Sequence, residues 1–286
     1  MTPSLRPAEP ESLAGARLSW GVAHETRGGS QLDEFGLCAQ TAPMPNDAAP
    51  PGPRNFEVIS FDCYGTLIDW ESGILAAMHP VISRHELVSR PDEVLAAYAR
   101  AEAAVEAGPY MPYREVLRRT FAGMAKDLGF APQADELETL VESLPNWQPF
   151  PDTVASLRAL AAAGHRLAII SNVDEDLFAG TARALQVEFD AVITACSVGC
   201  YKPHDAIFER AFERLGVTPG QMLHAAQSRY HDIGPGRRHG MQTVYVVRDS
   251  GRGSVSATPD VDELDAQPPA DWTVSDLAGL VALLAR

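Results

Sequence analysis

The sequence predicts an α/β fold built on a Rossmann-like parallel sheet, with a block of helices between its first two strands. Three observations predict it. Short apolar runs alternate with helical stretches, the pattern of β-α-β units. Several of these runs end in polar or acidic residues, and open parallel sheets place their chemistry at the C-terminal ends of strands. Helical periodicity with no strand between fills roughly residues 92–143.

The first strand is Val58-Ile59-Ser60-Phe61, ending in Asp62. A helix starts at Asp92, carries Val94, Leu95, Tyr98, Ala101 and Val105 at helical spacing, and stops at Gly108-Pro109. A second runs from Tyr113 to Leu128 and a third from Ala134 to Ser143. Asp152 to Ala163 is a helix closed by Gly164, followed by a buried strand, Arg166 to Ile170, that ends in Ser171-Asn172. A strand over Ala191 to Cys196 leads to Lys202-Pro203 and a helix with Ile207, Phe208, Ala211, Phe212 and Leu215 on one face. The strand Met222 to Ala226 precedes Gln227-Ser-Arg-Tyr-His231-Asp232, and Thr243 to Val247 completes a five-strand sheet. The acidic stretch after Asp249 reads as loop before a closing helix.

Residues 1–54 hold Pro43, Pro45, Pro50, Pro51 and Pro53 without sustained periodicity. They read as a disordered or loosely docked tail with no signal-peptide-like apolar region, dispensable for activity over 1–53. The chain has 23 Lys and Arg against 38 Asp and Glu, a net charge of −15, and no basic block. Nucleic acid and anionic membranes are therefore not expected partners. No apolar run approaches the roughly 20 residues of a membrane span. The irregular spacing of Cys38, Cys63, Cys196 and Cys200 suits free thiols in a reducing cytoplasm better than a disulfide frame.

Asp62 is the residue around which the rest is arranged. Gly65 allows a tight turn, and Thr66 puts a hydroxyl four residues after the carboxylate, in position to bond it. The plainer alternative is a strand and a polar loop, with Asp62 serving as a cap. Asp62-Cys-Tyr64-Gly65-Thr66-Leu resembles the first motif of the haloacid dehalogenase superfamily, and is closest to the type II (L-2-haloacid) dehalogenases. Ser171-Asn172, Lys202-Pro203 and Asp232 resemble its second, third and fourth motifs, in order. The resemblance implies a core of residues 55–72 and 149–286, with a helical cap domain inserted over 73–148. It implies Asp62 as nucleophile, Thr66, Ser171 and Lys202 as the groups that position it, and Asp232 with Lys202 as the pair that activates water. Tyr64 and Asn172 would line the substrate pocket and help cradle a halide. The substrate carboxylate needs a guanidinium that can grip it in two places. Arg100 matches the arginine of the first cap helix, and Arg114 is its rival.

Phosphatase branches of the superfamily carry an acid where Tyr64 stands and an acidic Mg²⁺ ligand where Gln227 stands. Both replacements argue for metal-independent chemistry with no cofactor. Gln227, Phe208 and His231 also depart from the dehalogenase pattern, which puts the pocket in question, and the His231 imidazole adds a titratable neighbour to Asp232. The expected activity is hydrolytic dehalogenation of a short 2-haloacid through an aspartyl ester. The partner is thus a small carboxylic acid, the location cytoplasmic, and a homodimer the assembly considered. The alternatives, in order, are a related hydrolase attacking another 2-substituted or small-ring acid at carbon, a Mg²⁺-dependent phosphatase, and a catalytically silent ligand-binding homologue.

Overall fold

The computed structural model describes residues 56–248 and 268–285. The tail expected over 1–54, Cys38 and most of the loop expected after Asp249 lie outside them. The strands are β1 (Val58–Phe61), β2 (Arg166–Ser171), β3 (Ala191–Thr194), β4 (Met222–Ala226), β5 (Gln242–Val246) and β6 (Trp272–Val274). They form one sheet in the order β3-β2-β1-β4-β5-β6, with every pair parallel. The sixth strand corrects the expected five. It is a three-residue edge strand without full burial, too short to show a period in the sequence. The third strand is also shorter than expected. Thr194 caps a turn of helix, α7 (Ala195–Val198), by accepting from the Ser197 N–H, and this cap ends the strand.

β1 is central, flanked by β2 and β4, and all four of its residues are buried. A strand covered on both faces reads as a continuous apolar run. Its side chains still alternate. Val58 joins a core with Ile170, Ile193, Ile207, Phe208 and Leu215, whereas Ile59 and Phe61 join the larger core on the opposite face. The first core is covered by α8 (Asp205–Leu215). The helices α5 (Thr153–Ala162), α6 (Glu175–Leu185) and α9 (Leu277–Leu284) contribute to the second. The chain leaves β1 toward β2 and β3, then returns to β4 on the other side, so the reversal of strand order falls between β1 and β4. Ligand sites of such sheets lie at the C-terminal ends of the strands beside this switch.

Between β1 and β2 come α1 (Trp70–Arg84), α2 (Pro91–Glu106), α3 (Tyr113–Leu128) and the short α4 (Thr139–Ser143). The helix expected over 134–143 is divided, with a 3-10 turn at Asp135–Glu138 before α4. The Glu136 carboxylate accepts from the Gln133 amide, Arg84 and His85, which holds that turn in place. Helix α1 was not expected. Its signal was present: Asp69 accepts from Ser72 N–H as N-cap, and Ile74, Met78 and Val81 fall on one buried stripe. Gly73 brings α1 against the Trp147 ring, where an added Cβ would lie 2.4 Å from two ring carbons.

Gly73→Ala therefore overpacks a rigid aromatic contact rather than a flexible side-chain end. It should lower stability by about 1–3 kcal/mol. Urea denaturation checks this, and a midpoint at or above that of the native chain would contradict the packing.

Candidate active site

The residue after β1 is Asp62, and its surroundings come from three strand ends. Its N–H donates to Ala225 O of β4 at 3.2 Å, which extends the ladder by one residue and fixes the carboxylate at the sheet edge. Gly65 then takes φ +94°, a turn open to glycine at no steric cost. The turn brings Thr66 back, so that its Oγ1 donates to Asp62 Oδ2 at 2.7 Å. The Gln227 N–H donates to Thr66 Oγ1 at 3.0 Å, orienting that hydroxyl. Lys202 reaches the other oxygen: its Nζ donates to Asp62 Oδ1 at 2.8 Å, Asp232 Oδ1 at 2.7 Å and Ile170 O at 2.9 Å. All three ammonium donors are thus used, and Lys202 is only 3% exposed.

Asn172 holds this lysine rather than only lining the pocket. Its Oδ1 accepts the Lys202 N–H at 2.7 Å and its Nδ2 donates to Lys202 O at 3.3 Å. Ser171 is buried and lines the same cavity, but makes no hydrogen bond to Asp62 among the described residues. On the far side, Asp232 Oδ1 also accepts from His224 Nε2 at 3.0 Å, and His224 Nδ1 meets Ser60 Oγ at 2.9 Å. Asp232 Oδ2 is buried, with no hydrogen-bond partner among the described residues.

The charges follow from this packing. Burial alone would lower the Lys202 pKa, but Asp232 and Asp62 more than reverse this and hold it above the usual lysine value. Burial pulls Asp232 upward, yet the Lys202 charge and the His224 hydrogen bond bring it below the ordinary aspartate value. For Asp62, burial outweighs the Lys202 charge and raises its pKa. Burial lowers His231 to about 4, so its ring is neutral near pH 7. Its Nδ1 faces Ser228 Oγ at 3.1 Å.

A cavity of about 140 Å³ opens above Asp62. Tyr64, Asn172, Lys202, Gln227, His231 and Asp232 all line it, as the sequence led us to expect. The Tyr64 hydroxyl is bonded to Thr181 Oγ1 at 2.9 Å. The two expected carboxylate-binding arginines are not there, and this is a correction. Arg100 sits two positions round α2 from Tyr98, which turns it outward; its side chain is 63% exposed and paired with Asp127 at 3.0 Å. Arg114 is drawn to Asp174, the residue before α6, and to Asp176 in the first turn of that helix. There the Asp174 carboxylate also accepts the N–H groups of Tyr113 at 2.8 Å and Arg114 at 3.0 Å, the first residues of α3.

The sequence reading missed other lining residues: Trp70, Tyr98, Glu102, Glu106, Trp147 and Arg248. Tyr98, Glu102 and Glu106 recur every four residues on α2, so they continue one helix face, a signal that was available. Arg248 had none; its Nε donates to Thr66 O at 2.7 Å and its Nη1 to Asp152 Oδ1 at 2.6 Å. Mg²⁺ is used by phosphatases of this fold, but the residues here do not suit it. Lys202 occupies the space between the two carboxylates, and Tyr64 and Gln227 stand where further anionic ligands would be needed. Among the described residues no three His, Cys, Asp or Glu side chains converge as a metal site.

A parallel sheet with a lysine-bridged aspartate at the end of its first strand places the chain among α/β hydrolytic enzymes. The chain belongs to the haloacid dehalogenase-like hydrolase family, whose model matches residues 56–240. It is 27% identical over 191 residues to (S)-2-haloacid dehalogenase 1 of Pseudomonas sp. (strain CBS-3), covering 66% of this chain and 83% of that one. It is 29% identical over 197 residues to (S)-2-haloacid dehalogenase of Xanthobacter autotrophicus, covering 67% and 75%. The solved structure of L-2-haloacid dehalogenase from Xanthobacter autotrophicus superposes with a TM-score of 0.66 at 24% identity, covering 80% of this chain and 98% of that one. That last likeness concerns the fold.

Lys202→Met removes the cation between two buried carboxylates and leaves them facing each other. The variant should lose about 3–5 kcal/mol of stability. An unchanged urea midpoint would show that the bridge does not hold the strand ends together.

Proposed function

We propose that this protein is a metal-independent hydrolase that displaces a leaving group from carbon beside a carboxyl group, with short 2-haloacids as its reference substrates. The observation that carries the reading is the pinned Asp62 carboxylate, with Thr66 on one oxygen and Lys202 on the other, at the floor of a small cavity. Both hydrogen bonds aim the carboxylate, and Lys202 favours its ionised form against the burial that opposes it. A cavity of about 140 Å³ is below the roughly 300 Å³ and more of drug-sized ligand sites, and so suits a molecule of a few carbons.

An Asp62 oxygen attacks the substituted carbon, inverts it and expels the halide, leaving an ester. Halide is a weak base and departs without a proton, so the absence of an acid at Tyr64 costs nothing. Water then attacks the Asp62 carbonyl carbon. Asp232 Oδ2 is the free carboxylate oxygen that can take the water proton, while the Lys202 charge offsets the developing oxyanion. The tetrahedral centre collapses, its bond to the substrate oxygen breaks, and the proton on Asp232 passes to the departing alkoxide, so that the 2-hydroxy acid leaves with an oxygen from Asp62 and both aspartates are restored. Helices α1–α4 act as the cap that shields these steps from bulk water. The phosphatase alternative asks for an acid and for metal ligands where Tyr64 and Gln227 stand.

In a single turnover with excess enzyme in ¹⁸O-water, label should enter the Asp62 carboxylate and not the first product, and Asp62→Asn should release no halide. Label found directly in the product would mean that water, not Asp62, attacks carbon. Halide release should also survive exhaustive EDTA treatment unchanged; loss in EDTA with recovery on adding Mg²⁺ would revive the phosphatase-type site.

A further inference from the structure

The cavity has walls of opposite charge. Its sheet side presents Lys202 and Arg248, both already engaged: Lys202 with Asp62 and Asp232, Arg248 with Asp152, Thr66 O and the face of Phe150. Its other side presents Glu102 and Glu106, one turn apart on α2. The hydroxyls of Tyr98 and Tyr113 both donate to Glu102 Oε1, at 2.6 and 2.7 Å. Glu102 Oε2 and the whole Glu106 carboxylate make no hydrogen bond or ion pair among the described residues. Burial, and for Glu106 the neighbouring Glu102 charge, holds both above the ordinary glutamate value.

Two further features point to a ligand that brings donors and positive charge. Asp232 Oδ2, in a residue only 1% exposed, lines the same cavity without a partner. Aromatic rings line the same cavity as the glutamates: Trp70 lies against Tyr98 at 5.4 Å between centroids, and Trp147 meets Tyr64 edge-on at 5.8 Å. Carboxylates placed next to ring faces are costly to bury alone and suited to an organic cation, which gains from both. No Arg or Lys of the inserted helices lines this wall.

We propose that the α2 wall is a subsite for an ammonium group on the substrate, held by Glu102 Oε2 and Glu106 and flanked by the Trp70 and Tyr98 rings. Resting on the carbon-directed hydrolase reading, this makes the substrate class a short zwitterionic acid with its amino end toward α2.

The test is calorimetric titration of the full-length protein with propylammonium and with propanoate, probes of similar size and opposite charge. Propylammonium should bind at least about tenfold tighter, a difference of about 1.4 kcal/mol. Glu106→Gln should erase most of that ratio, and Glu102→Gln, read separately, should lower it. The exposed control Glu209→Gln should keep it, which distinguishes the subsite from attraction by the net charge of −15. Equal binding, tighter propanoate binding, no binding of either probe, or a ratio that survives Glu106→Gln in a folded protein would each overturn the subsite. Halide release from 2-chloropropanoate is measured in parallel. Release without ammonium preference leaves the hydrolase reading standing alone. Ammonium preference without release keeps the subsite and removes carbon-halide chemistry.

Discussion

The structure depends on one buried ammonium. Lys202 Nζ makes three hydrogen bonds to groups from three chain segments: the carboxylate after β1, the last carbonyl before Ser171 on β2, and the carboxylate after β4. A lone lysine charge in this interior would be expelled or neutralised, and two aspartates brought this close would repel. Together they offset part of one another's burial cost and hold one another in place. The Asn172 clamp on the lysine backbone and the His224 bond to Asp232 are then the supports that keep each partner from drifting. The two aspartates owe their geometry to this bridge, so the candidate site is made by the ends of adjacent strands more than by any loop of its own.

The cavity lining is accordingly divided between two parts of the chain. The sheet ends supply Asp62, Lys202 and Asp232. The inserted helices supply aromatic rings and glutamates, and no arginine toward the cavity. The family relation therefore speaks to the way bonds are broken, whereas the lining on α1 and α2 speaks to what is bound.

The sheet and the polar groups at its strand ends were legible because each strand end combined an apolar run with a polar residue whose spacing mattered. Asp62 with Thr66, and Lys202 ahead of α8, are local patterns that three dimensions only brought together. Arg100 and Arg114 failed for a physical reason: residue type suggested a role, but the helix face of one and the nearby Asp174 and Asp176 of the other decided it. Glu102 and Glu106 were visible as a stripe and read past, since acidic residues on a helix are ordinarily solvated. Arg248 and His224 could not have been found. Their partners Asp152, Ser60 and Asp232 are assembled by topology alone, and the three-residue β6 owes its existence to pairing with β5.

Asp174 has a consequence for the inserted helices. It belongs to the segment leaving β2, yet its carboxylate holds the first two amides of α3, and it is only 3% exposed. Charge-assisted bonds sheltered from water are slow to give way. The first turn of α3 is thereby fastened to the end of β2, so the inserted helices and the strand that carries Ser171 share one buried anchor.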